Sequence, residues 1–69
     1  MMMVKIGKLP GTFVEVGVED GSIVADVVEA AAIGDTTGFQ IRVDGEVTNL
    51  DAQVCDGDII TLVKQIKGA

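Results

Sequence analysis

The stretch Asp56-Gly57-Asp58-Ile59-Ile60-Thr61-Leu62-Val63-Lys64-Gln65-Ile66-Lys67-Gly68-Ala69 decides how this chain reads. An acidic turn launches a run in which Ile60 and Leu62 share one face while Ile59, Thr61 and Val63 share the other. That two-residue period is the period of a strand. Past Val63 the apolar alternation weakens, and Gly68 resists regular structure. The spacing therefore predicts a last strand with one buried face, continuing into an exposed, weakly ordered tail over 64–69. The carboxylate at Ala69 is the group expected to carry any chemistry.

Upstream of the turn, Phe39 to Val43 alternates in the same way, with Gln40 and Arg42 between the apolar residues. Asp44-Gly45 is a two-residue hairpin signal, and Glu46 to Thr48 is a short return strand. Residues 49–55 are irregular, with Leu50 and Val54 expected to plug the core. At the other end Val4-Lys5-Ile6 and Thr12 to Val18 alternate on either side of Leu9-Pro10-Gly11-Thr12, which reads as a hairpin. Between these sheet segments Ser22 is the expected N-cap of a helix over Ser22 to Ala32. Its apolar stripe is Ile23, Val27 and Ala30 or Ala31, with Val24 and Val28 beside it. The valines are weak helix formers, so packing on a sheet must hold this helix.

One helix laid on one sheet is an α+β layer. The expected core is Val4, Ile6, Val14, Val16, Val18, Ile23, Val27, Ile41, Val43, Leu50, Ile60 and Leu62. The other sheet face has nothing in this chain to cover it. It is the expected docking surface, with Phe13, Arg42, Thr61 and Val63 as its contacts and Ile66 continuing it into the tail.

Composition excludes several functions. The net charge of −6 repels phosphate backbones, so nucleic acid is not an expected partner. There is one cysteine and no histidine, so Cys55 has no disulfide partner, no imidazole to activate it and no companion for zinc. Asp51, Asp56 and Asp58 form a turn cluster without the longer ligand pattern of a calcium loop, so no metal site is read there. With no acid–base pair or nucleophile, the chain is not expected to be an enzyme and no cofactor is expected. No apolar run approaches the ~18 residues of a membrane span, and a lone thiol suits a reducing compartment. The expectation is a single cytoplasmic domain over 1–69, a monomer when free, with no membrane partner. The three opening methionines read as start-site residues.

Four stretches carry a resemblance. Asp20-Gly21-Ser22-Ile23-Val24-Ala25-Asp26-Val27-Val28 resembles a helix start, and Ile41-Arg42-Val43-Asp44-Gly45-Glu46 a Val-Asn-Gly-Glu hairpin. Val54-Cys55-Asp56-Gly57-Asp58 resembles a Leu-x-Asp-Gly-Asp turn, and Ile60 through Ile66-Lys67-Gly68 a last strand and tail. Together they resemble the ubiquitin-like β-grasp fold. The likeness is greatest to the small sulfur carriers, namely the thiamine-pathway carrier and the small subunit of molybdopterin synthase. The first three stretches also occur in the TGS domains of synthetases and GTP-binding proteins. The functional mark of the carriers is a terminal Gly-Gly; here Gly68 matches the first glycine and Ala69 stands in place of the second.

The resemblance implies a mixed sheet in the spatial order second, first, last, third strand, with first and last parallel at its centre. It implies that an E1-like adenylyltransferase activates the terminal carboxylate, a sulfur donor converts it to a thiocarboxylate, and a sulfur-accepting or cofactor-synthesising enzyme receives the sulfur. The small protein is then a substrate rather than a catalyst. Beside it stands a second expectation, a β-grasp interaction module of TGS-like or ubiquitin-like kind that uses its open face and ignores its C-terminus.

Overall fold

The computed structural model describes residues 1–65. Its elements are β1 (Met2–Leu9), β2 (Phe13–Val18), α1 (Val24–Ala30), β3 (Phe39–Val43), β4 (Glu46–Thr48) and β5 (Ile59–Lys64). The strands form one five-stranded sheet in the order β2-β1-β5-β3-β4. β1 and β5 run parallel at its centre, with Ile6 opposite Ile60, and every other pairing is antiparallel. The expected strand order is therefore present, with β4 added at the edge.

Register puts one set of apolar residues on the helix side: Val4 and Ile6 of β1, Ile60 and Leu62 of β5, and Ile41 of β3. Val24 and Val27 close this core from above, and Val54 from the loop before β5. No polar or charged residue is buried among them, so the core carries no desolvation penalty for unpaired groups.

The acidic turn locks β5 to both neighbours. The Met3 amide donates to Asp56 Oδ1 at 2.8 Å, and the Gly57 amide donates to the Met3 carbonyl at 2.8 Å. The Cys55 amide donates to Asp58 Oδ2 at 2.8 Å, closing the turn on itself. On the far side the Ile59 amide donates to Asp44 Oδ1 at 3.0 Å, and the Asp44 amide donates back to the Ile59 carbonyl at 2.9 Å. Asp44 and Gly45 take φ of 52° and 89°, the paired positive angles of the hairpin turn predicted there.

Three expectations need correction. The helix cap is Ile23 rather than Ser22, and α1 ends at Ala30. The Asp26 carboxylate accepts from the Ile23 amide at 3.0 Å, so the orphan donor is served from within the first turn. Ser22 is instead engaged through its backbone: its carbonyl accepts from the Val54 amide at 3.1 Å. Because α1 stops early, with Ala32 already at φ 54°, the sheet near Val14 is left uncovered and Val14 is 48% exposed rather than core. Leu50 is 37% exposed, while Val16, Ile23 and Val43 are only half-buried. Val54 plugs the core as expected, and Met2, Val24 and Val28 are buried in addition to the expected set.

Candidate functional site

The side of the sheet away from α1 carries the expected docking residues. Reading across the strands, Phe13 lies opposite Gly7, Gly7 opposite Thr61, Thr61 opposite Arg42, and Arg42 opposite Val47. Phe13, Arg42 and Thr61 therefore stand in one row across all five strands. Val63 sits one step further along β5, between Leu9 and Gln40. Four of the expected contacts thus share one face. Ile66, Gly68 and Ala69 lie outside the described residues.

A glycine shapes this row. A Cβ on Gly7 would stand 2.7 Å from Phe13 Cγ and 2.8 Å from the Thr12 carbonyl oxygen, so the phenyl ring rests directly over the bare backbone of β1. Only glycine permits that approach. Arg42 is oriented by its neighbour on the same strand and face, its Nε donating to Gln40 Oε1 at 2.8 Å.

Sequence reasoning left several members out. Met3 and Leu9 are exposed and Val47 is 62% exposed, and register puts all three on this face beside the exposed Ile59, which alternation already assigns there. Strand alternation extended through Met3 and Leu9 would have found two of them. Those residues had been assigned to a start segment and a turn. Lys5 lies between Glu15 and Ile59. The charged strand residues on this face are therefore Lys5, Arg42 and Glu15, an apolar surface with a slight cationic excess on an otherwise acidic chain.

β5 ends beside the same surface. Lys64 closes β5 opposite Phe39, and the Gln65 amide donates to the Gly38 carbonyl at 2.8 Å. Lys64 and Gln65 are therefore held by the sheet and its flank, and the rest of the expected tail, 66–69, lies outside the described residues. Val63 is the last open-face residue of β5. On the helix side, Lys8 sets its ammonium 5.2 Å from the centroid of the Phe39 ring, a cation–π contact at that end of the sheet.

Among the described residues, no group of three or more histidine, cysteine or acidic side chains is placed to hold a metal ion. Cys55 is exposed. Asp58 has its pKa raised, first by burial and then by the nearby Asp44 carboxylate, while the Cys55 amide acts the other way. Hydrogen bonds from Thr37 to Asp35 lower the pKa of that exposed carboxyl. Both groups have structural partners, in keeping with turn-building carboxylates. No helix among the described residues is long and apolar enough to cross a membrane.

The sheet order, the parallel central pair and the single helix across one face decide the architecture. The fold is the ubiquitin-like β-grasp. Two solved structures of small archaeal modifier protein 1 (SAMP1) from Haloferax volcanii share it. One superposes with a TM-score of 0.80 at 17% identity, covering 97% of this chain and 99% of that one. The other gives 0.82 at 16% identity, covering 96% and 100%. No protein-family model and no curated protein matches the sequence. At such low identity the likeness is one of β-grasp architecture, extending over nearly the whole of both chains.

Proposed function

We propose that this chain is a sulfur carrier or ubiquitin-like protein, and that an E1-like adenylyltransferase activates its C-terminal carboxylate. The course of β5 carries the reading. The last strand lies at the centre of the sheet, its residue Val63 belongs to the open apolar face, and Gln65, where the described residues end, directly precedes Ile66–Ala69 in the sequence. A partner seated on Phe13, Thr61, Val63 and Arg42 would thus receive the tail at the edge of its own contact surface. The fold shared along its whole length with a small archaeal modifier supports the same reading.

In the proposed chemistry a carboxylate oxygen of Ala69 attacks the α-phosphorus of ATP and expels pyrophosphate, giving an acyl-adenylate. A hydrosulfide-equivalent donor then attacks the acyl carbon and expels AMP, leaving a thiocarboxylate. That sulfur would pass to a sulfur-accepting or cofactor-synthesising enzyme. Attack by a target amine instead would give an amide, the outcome expected of a protein modifier. The chain supplies the carboxylate, the docking face and the tail, and the partner supplies the catalysis. The proposed setting is the cytoplasm. Glycine suits the tail because it allows close backbone approach in a narrow slot. Ala69 adds one methyl group there, and such a mismatch in a tight site costs about 1–3 kcal/mol, or ten- to two-hundred-fold in rate.

Pyrophosphate exchange with an E1-like enzyme tests the proposal. Ala69→Gly is expected to raise the exchange rate within that range. Removing Gly68 and Ala69 is expected to abolish exchange without altering the thermal melt, since no core residue is touched. Absence of exchange with both the parent and Ala69→Gly would sink the carrier reading. The interaction-module reading would then replace it, favoured by the uncovered apolar face and by the alanine at position 69.

A further inference from the structure

β2 is an outer strand of the sheet, paired on one side only, with β1. Which of its backbone groups face outward follows from β1. The Lys5 amide donates to the Asp58 carbonyl, and the Met3 carbonyl accepts from Gly57, so Met3 and Lys5 direct their backbone toward β5. Met2, Val4 and Ile6 therefore bond to β2, through their partners Val18, Val16 and Val14. The amides and carbonyls of Phe13, Glu15 and Gly17 are left pointing away from the sheet. Among the described residues no side chain or loop bonds to them.

Proteins usually blunt such an edge with lysine, proline, a bulge or a covering segment. β2 has none of these: its register with β1 is unbroken from Val18 to Phe13, and its only charged residue is Glu15. β4, the other outer strand, is three residues long. On the helix side of β2 the early end of α1 leaves an open groove of about 280 Å³, lined mainly by apolar residues including Ile6, Pro10, Val14 and Ile33, with Thr12 and Lys8 also on its wall; the Lys8 ammonium is turned to the Phe39 ring. A strand added alongside β2 would turn every second side chain toward this apolar groove.

Charge selects the occupant. Between Lys8 and Arg42 there are six acidic residues, Glu15, Glu19, Asp20, Asp26, Glu29 and Asp35, and no basic one. In the rest of the chain five acids and five bases cancel, so the whole net charge of −6 resides in the segment that builds β2, α1 and their loops. A second copy of this chain would bring the same acidic edge and be repelled. A basic segment is attracted and oriented.

We propose that the outer edge of β2 accepts an extended segment of a partner protein as an added strand, with alternating apolar residues facing the Val14–Ile33 groove and lysine or arginine at its flanks. Main-chain bonds to Phe13, Glu15 and Gly17 supply the pairing, the groove supplies side-chain selection, and the acidic segment supplies the sign. The pairing groups are main-chain atoms in the plane of the sheet, whereas Phe13 and Glu15 turn their side chains to the open face, so an added strand does not draw on the carrier chemistry.

The test is amide hydrogen exchange on the full chain with a synthetic peptide of alternating threonine and valine flanked by lysine pairs. In the free protein the amides of Phe13, Glu15 and Gly17 exchange fast while those of Val14 and Val16 are protected. The peptide is expected to slow the first three at least about tenfold, the equivalent of one added hydrogen bond. The same peptide flanked by glutamates is expected to leave them unchanged. Glu15→Pro removes an outward amide that the sheet does not use and is expected to weaken binding about tenfold. Glu15→Lys, which leaves every backbone group in place, is expected to weaken the lysine-flanked peptide selectively. Unchanged exchange at these three amides, protection confined to β4 or the open face, or equal binding of the glutamate-flanked peptide would each overturn the proposal.

Discussion

Leu62→Ala tests the packing that sets the two sheet faces apart. Leu62 is fully buried on central strand β5, between Lys8 of β1 and Ile41 of β3. Truncation removes most of its side chain from a site walled by two strands and the helix, where collapse is limited. Such changes cost about 2–5 kcal/mol. At about 0.05–0.15 kcal/mol per residue, a chain of this size holds roughly 3–10 kcal/mol in all. The substitution should therefore remove about a fifth or more of the stability, and at the upper end of that range would unfold the protein outright. Its neighbour Val63 points to the open face and is only half-buried, so Val63→Ala should cost about 1 kcal/mol or less. Urea denaturation of both variants and the parent reads the difference as a shift in midpoint at constant slope. A Leu62→Ala midpoint equal to the parent's, or a larger loss in Val63→Ala, would show that the face assignment is reversed.

Gly7→Ala should cost about 1–3 kcal/mol by overpacking against Phe13 and the Thr12 carbonyl, and Phe13→Ala in the same chain should recover part of it; thermal melts of the single and double variants decide this. Asp58 has its pKa raised in the fold, so its contribution to stability is fully present below the ordinary value of 3.8 and is lost as pH rises through the raised one. Asp58→Asn, whose amide oxygen still accepts from Cys55, should therefore lose less stability than the parent between pH 4 and 7. Parallel pH–melting curves for the two would refute that assignment. With a bound E1-like partner, amide shifts should concentrate at Phe13, Arg42, Thr61 and Val63, and shifts confined to α1 would count against the docking face.

The sheet was legible because its strands obey a strict period and its turns use unambiguous chemistry. Asp44-Gly45 and Asp56-Gly57-Asp58 were both placed by residue type, and both form the turns expected of them. The helix ends were less legible. Ser22 offered a good cap, yet its backbone is held by Val54, a partner more than thirty residues away, and Asp26 serves the helix start instead. Val14 followed the same alternation as Val16 and Val18, but its burial depended on a helix long enough to reach it. Alternation assigns a residue to a face; the length of the covering element decides whether that face is dry. Leu50 failed for a related reason, lying in an irregular segment with no period to orient it. The open sheet face was legible in outline from β2, β3 and β5, while Met3 and Leu9 were missed because β1 extends past both ends of its clear alternation.

If the carboxylate of Ala69 is the reacting group, intact-mass analysis of the full chain detects its conversion. After incubation with an E1-like enzyme, ATP and a sulfur donor, the mass is expected to rise by that of one oxygen-to-sulfur exchange. The change should localise to the C-terminal fragment and be absent when ATP is omitted or Gly68 and Ala69 are removed. An unchanged mass for both the parent and Ala69→Gly, with an enzyme that does convert its own Gly-Gly carrier in the same mixture, would contradict it.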